Sequence, residues 1–115
     1  MALYTKHTKG ILDGTEEIVL VPATGSGANI VTMFRLINLD TSSITFKLRI
    51  HDESKLGEDD EYLYVIPETT LATQEYITHS GAMISLSGTS KLVIELNAEV
   101  AATEPQYQVI YVEEA

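Results

Sequence analysis

Ile30 to His51 reads IVTMFRLINLDTSSITFKLRIH, and this stretch decides the fold class. Ile44, Phe46, Leu48 and Ile50 alternate with Thr45, Lys47, Arg49 and His51. Successive side chains of a strand point to opposite faces, so this half has one apolar and one wet face. In the first half, Ile30, Phe34 and Leu36 are placed on the inner face with Thr32 between them. Val31, Met33, Ile37 and Leu39 fall on the other face beside Arg35. A strand apolar on both faces is covered on both faces. Asp40, Thr41, Ser42 and Ser43 carry turn chemistry, because Asp and Ser side chains bond the nearby backbone. The two strands are therefore expected to pair as a hairpin.

Working outward, the same pattern recurs. Tyr4 to Leu12 predicts a short strand or an extended arm, ended by the Asp13-Gly14 turn. Glu16 to Val21 is an apolar run closed by Pro22. Gly25-Ser26-Gly27 sits in a loop and lacks the Gly-Lys-Ser/Thr and helix of a phosphate cradle. Tyr62 to Ile66 is closed by Pro67, and residues 68–72 are expected to be a connection. Thr73 to Thr78 and Ala82 to Leu86 are read as two strands broken at Gly81. Ser87 to Ser90 is read as a tight hairpin loop. Lys91 to Glu99 alternates, with only Val93 interrupting its polar face. Gln106 to Val112 follows Pro105 as the last strand.

Eight to nine short strands with no helical period predict an all-β, two-sheet antiparallel sandwich. With eight strands it is jelly-roll-like, and the alternative is an immunoglobulin-like Greek key. Residues 1–14 are expected to be an N-terminal arm or first short strand, and residues 15–115 a single sandwich domain.

The 115 residues include no cysteine and no tryptophan, and the formal net charge is −10. Thiolate metal sites, disulfides and thiol nucleophiles are thereby excluded. The acidic balance argues against nucleic-acid binding. No run of apolar residues is long enough for a membrane-spanning helix. Lys6 and Lys9 make the first twelve residues basic, suiting them to dock on an acidic neighbour.

Asp52 to Glu61 holds six carboxylates in ten residues. Its spacing is not that of an EF-hand loop, so a solvated loop is the plainer reading and a calcium site the sharper one. His7, His51 and His79 show no metal-binding spacing, and Gly-x-Ser-x-Gly is absent. Neither an enzyme nor a cofactor is expected.

Arg35, Lys47 and Arg49 would form a basic stripe if the central strands paired, unless cross-strand glutamates such as Glu95 neutralise it. Val31 and Met33 would need cover from outside, as an interface supplies. The candidate partner-binding residues are therefore Lys6, Lys9, Val31, Met33, Arg35, Lys47 and Arg49.

The segment order from Glu16 to Val112 resembles small β-sandwich proteins of tailed-phage virions. The resembling parts are IVTMFRLINLDTSSITFKLRI, the acidic loop, YLYVIPETTLATQEYI, and GAMISLSGTSKLVIELNAEV with a final strand. The glycine usual in that group near Thr73–Gln74 is missing here, and the N-terminal arm is an addition. The resemblance implies a non-enzymatic structural role, as a capsid decoration (cement) protein binding across capsomer junctions. A tail, neck or fibre component is the alternative. The implied partner is the major capsid protein or another virion protein, with a homo-oligomer, a trimer favoured, in a virion made in the bacterial cytoplasm. A small carbohydrate- or ligand-binding module is the reading from a different class.

Overall fold

The computed structural model describes residues 3–25 and 27–114, with 81–83 described by backbone alone. Eight strands occur among them. They are β1 (Leu3–Ile11), β2 (Ile18–Val21), β3 (Ala28–Ile37), β4 (Ile44–Asp52), β5 (Tyr62–Leu71), β6 (Tyr76–Ser87), β7 (Ser90–Leu96) and β8 (Gln106–Glu114). A single 3₁₀ turn, Glu53–Lys55, follows β4.

The strands form two antiparallel four-stranded sheets, β1-β8-β3-β6 and β2-β7-β4-β5. We call them sheet A and sheet B. Partners β1 with β8, β2 with β7, β3 with β6 and β4 with β5 lie side by side, which is the jelly-roll arrangement. Only β4 and β5 are sequential neighbours within one sheet; every other connection crosses between sheets.

The expected hairpin of Ile30 to His51 is therefore corrected. β3 lies in sheet A and β4 in sheet B, and residues 38–43 arch across the core between them. Ser87–Ser90 likewise carries the chain from β6 to β7 in the opposite sheet. The expected break at Gly81 does not occur, because β6 runs unbroken from Tyr76 to Ser87. β5 continues through Pro67 to Leu71. Proline is tolerated there because β5 is an edge strand, and the register with β4 slips at that point.

The core lies between the sheets. Val31, Phe34 and Leu36 of β3 meet Phe46 and Leu48 of β4, Leu92, Ile94 and Leu96 of β7, and Val109 and Tyr111 of β8. Each such side chain contributes about 1.5–3 kcal/mol when fully buried. Val31 is 1% exposed, so its expected outward placement is corrected as well. A bulge between Val31 and Met33 adds one residue of β3 against β8. The side-chain alternation changes phase there, turning Val31 inward and leaving Ile30 half-buried. The Thr32 hydroxyl donates to the Ile110 carbonyl beside this bulge (3.2 Å).

Buried polar groups fasten the corners. Asn38 Nδ2 donates to the carbonyls of Ser42 (3.0 Å) and Leu71 (3.1 Å), and its Oδ1 accepts from the Asp40 amide (2.9 Å). The Asp40 carboxylate accepts from the amides of Ala101 (2.9 Å), Ala102 (2.8 Å) and Thr103 (3.0 Å). The Thr103 amide first, then that of Ala101, holds the Asp40 carboxyl down at about 2. Through these bonds the β3–β4 arch anchors the β7–β8 loop. Thr73 Oγ1 also donates to the Asp40 carbonyl, drawing in the β5–β6 connection.

Candidate functional site

The two outer sheet faces differ in how their charges are used. On sheet B, the register aligns Lys47 with Glu95, Arg49 with Val93 and Tyr64, and His51 with Tyr62. Lys47 Nζ lies 3.6 Å from Glu95 Oε1. The Arg49 guanidinium lies 3.4 Å from Glu95 and 3.6 Å from Glu17. The same guanidinium sits 3.9 Å from the centre of the Tyr62 ring. His51 stacks on the other part of this cluster, 4.3 Å from Tyr62 with rings 5° apart, and its Nε2 lies 2.8 Å from Glu61 Oε2. Its buried Nδ1 has no hydrogen-bond partner and lies 3.7 Å from Glu17. The Tyr62 hydroxyl donates to Glu17 (3.0 Å), and burial, then that bond, raises its pKa. Between these groups Val93 is only 1% exposed, although it belongs to the outer face. This face is an internally neutralised ionic and aromatic layer.

Sheet A is different. The pairing of β1, β8, β3 and β6 places Lys9, Gln108, Arg35 and Thr78 in one cross-strand row. The next row is Ile11, Gln106, Ile37 and Tyr76. Lys9, Gln108 and Arg35 of the first row and Ile11, Gln106 and Ile37 of the second, with Gly10 and Tyr107 between them, line a groove of about 520 Å³. Its floor is apolar at Ile11 and Ile37, amide-bearing at Gln106 and Gln108, and cationic at Lys9 and Arg35. Arg35 lies 5.6 Å over the Tyr76 ring. Among the described residues no carboxylate lies within ion-pair distance of Lys9 or Arg35. Beyond the groove, Met33, Ile110, Ile30 and Val112 continue the face as a half-buried apolar stripe.

The acidic loop between β4 and β5 is ordered by its own carboxylates. Asp52 Oδ1 accepts from the Ser54 hydroxyl (2.7 Å), the Thr89 hydroxyl (2.8 Å) and the Ser54 amide (3.0 Å), which lower its pKa. Glu61 Oε1 accepts from the Gly57 amide (3.0 Å), and that bond, then His51, lowers the Glu61 pKa. These carboxylates serve as turn acceptors, and no group of three or more metal-binding side chains occurs among the described residues. The three histidines lie on β1, β4 and β6. No described helix is long and apolar enough to cross a membrane.

The expected stripe of Arg35, Lys47 and Arg49 is thus divided between opposite faces of the sandwich. Lys47 and Arg49 take the cross-strand glutamate partners. Lys6 and Lys9 fall on opposite sides of β1, and Lys6 pairs with Glu113 at 3.8 Å. Met33 is half-buried on sheet A, and Val31 is in the core. Sequence reading did not find Ile11, Gln106 or Gln108. Their only signal is the pairing of β1 with β8, which no local pattern announces.

No protein-family model matches the chain, and no curated protein matches it. Solved structures do. A subunit of Bacillus endospore appendages, described as disulfide-linked pili, overlays with a TM-score of 0.53 at 8% identity, covering 99% of this chain and 87% of that one. The cyanophage Pam1 capsid asymmetric unit gives 0.43 at 14% identity, covering 96% and 83%. A Clostridium thermocellum xylanase comprising CBM22-1 and GH10 modules gives 0.44 at 11%, covering 98% of this chain and 26% of that one. The pilus subunit shares the sandwich fold with this chain, and the likeness goes no further than fold.

Proposed function

We propose that this chain is a non-enzymatic structural protein of a phage virion, a decoration protein that binds the major capsid protein across capsomer junctions. The observation that carries this reading is the outer face of sheet A. A stripe of Ile30, Met33, Ile110 and Val112 faces outward on sheet A, while Lys47 and Arg49 on the outer face of sheet B are already paired with glutamates. The segment order shared with small virion sandwiches supports the same reading. The mechanism is mechanical: binding to the assembled lattice stabilises it by mass action, with no chemical step. Copies associate in this reading, a trimer being the favoured number.

The test is to add the purified protein to phage heads that lack a decoration layer. Saturable binding and a higher temperature of head rupture are expected, both weakened by Met33→Asp. Binding to tails or necks alone would move the protein to the tail. Binding to neither would remove the virion reading.

A further inference from the structure

The groove on sheet A and the tip of the β4–β5 loop are complementary in charge and in apolar character. The groove offers Lys9 and Arg35 without carboxylate partners among the described residues, over a floor of Ile11 and Ile37. Strands lie about 4.8 Å apart, so these cations, two strands apart, are separated by roughly 10 Å at the backbone. The loop tip offers Leu56, 67% exposed, beside Glu58 and Asp59. The side chains of Glu58 and Asp59 are exposed and take no ion pair among the described residues.

The tip is held ready. The Glu58 amide donates to the Lys55 carbonyl (2.9 Å), and the Asp52 amide to the Glu61 carbonyl (2.9 Å). Gly57 supplies a positive φ of 82° for the turn. A pre-ordered loop loses little conformational entropy on docking.

Within one molecule the two cannot meet. The groove lies where β3 ends, beside the arch that leads into β4. The loop lies beyond the far end of β4, whose nine residues span roughly 30 Å. We propose that the groove of one copy receives the Leu56–Asp59 tip of a second copy, Leu56 on the Ile11–Ile37 floor and the two carboxylates between Lys9 and Arg35. Such a contact joins unlike surfaces, so it builds a ring if its rotation closes and a filament if it does not. It holds wherever the protein resides, on a particle or off it. With no cysteine in the chain, no disulfide can join the copies.

The experiment is native mass spectrometry and light scattering of the purified full chain, with two variants. Lys9→Glu with Arg35→Glu disables the groove, and Leu56→Ser with Asp59→Asn disables the tip. Wild type is expected to associate, more weakly as salt rises. Each variant alone is expected to be monomeric. Their equimolar mixture is expected to give a dimer and nothing larger, because it retains one intact groove and one intact tip. A wild type that stays monomeric at high concentration, a variant that associates like wild type, or a mixture that stays monomeric would each overturn the proposal. All substituted side chains are exposed, and circular dichroism verifies the fold. Should a double variant unfold, Arg35→Gln and Leu56→Ser carry the same test, each weakening association at least about tenfold. No particle is present in this experiment, so its outcome is separate from that of head binding.

Discussion

The Arg49 guanidinium lies 3.9 Å from the centre of the Tyr62 ring while keeping ion pairs to Glu17 and Glu95. The ring thus screens a cation that is largely out of solvent, and the same ring carries His51. Tyr62→Leu loses both stacks and the hydroxyl bond to Glu17, and is expected to cost about 2 kcal/mol in chemical denaturation. Tyr62→Phe keeps the stacks and is expected to cost about 1 kcal/mol or less. Equal costs would show that the ring contacts contribute nothing.

Asp40 makes stability fall in acid. Its folded pKa of about 2 lies below the ordinary 3.8. Its contribution is therefore complete above pH 3.8 and is lost as pH falls towards 2. Asp52 and Glu61, also lowered, act in the same direction. Asp40→Asn is expected to be less stable at neutral pH, because an amide group then faces one of the three N–H donors. It is also expected to lose less stability than wild type across the acid window. Urea midpoints measured from neutral pH into that window test both.

Val31 and Ile30, neighbours on opposite faces of β3, should respond to a charge with very different magnitudes. Val31→Asp places an unpaired carboxylate in the core and is expected to cost about 3–5 kcal/mol, enough to unfold many domains. Ile30→Asp meets solvent on the other side of the strand and is expected to cost about 1 kcal/mol. A reversal, measured by thermal melting, would mean that the bulge at Thr32 is misplaced.

Gln74 holds a φ of +67°, a left-handed conformation that costs a non-glycine residue energy. It lies in the tight connection between β5 and β6, where its amide donates to the Asn38 carbonyl (2.8 Å). Gln74→Gly removes the steric cost and adds some unfolded-state freedom. The net expectation is a gain of up to about 1 kcal/mol, read from denaturant midpoints.

The strands themselves were legible in the sequence because alternation is local. Ile44 to Ile50 carries its face assignment in its own residues. Pairing was not legible. Asp40-Thr41-Ser42-Ser43 has the composition of a hairpin turn, yet Asn38 and Asp40 spend their side chains bonding the Leu71 carbonyl and the Ala101–Thr103 amides, which makes an arch. The phase error at Val31 has a similar origin, since a bulge is set by the partner strand. The left-handed backbone at Gln74 was not legible either, because no local pattern marks a glutamine for that conformation. The sheet A groove was hidden because Lys9, Gln108 and Arg35 become neighbours only when the first and last strands pair.

The nested pairing of the strands also sets an order of folding. β4 with β5 is the one pair that closes a short loop, and its turn residues are already bonded to one another. Each further pair, β3 with β6, β2 with β7 and β1 with β8, encloses the one before it and must close a longer stretch of chain. Once an inner pair has formed, the next closure is short in effect, so the entropic cost falls step by step. The chain can thus zip outward from the acidic loop, with β1 and β8 last to join.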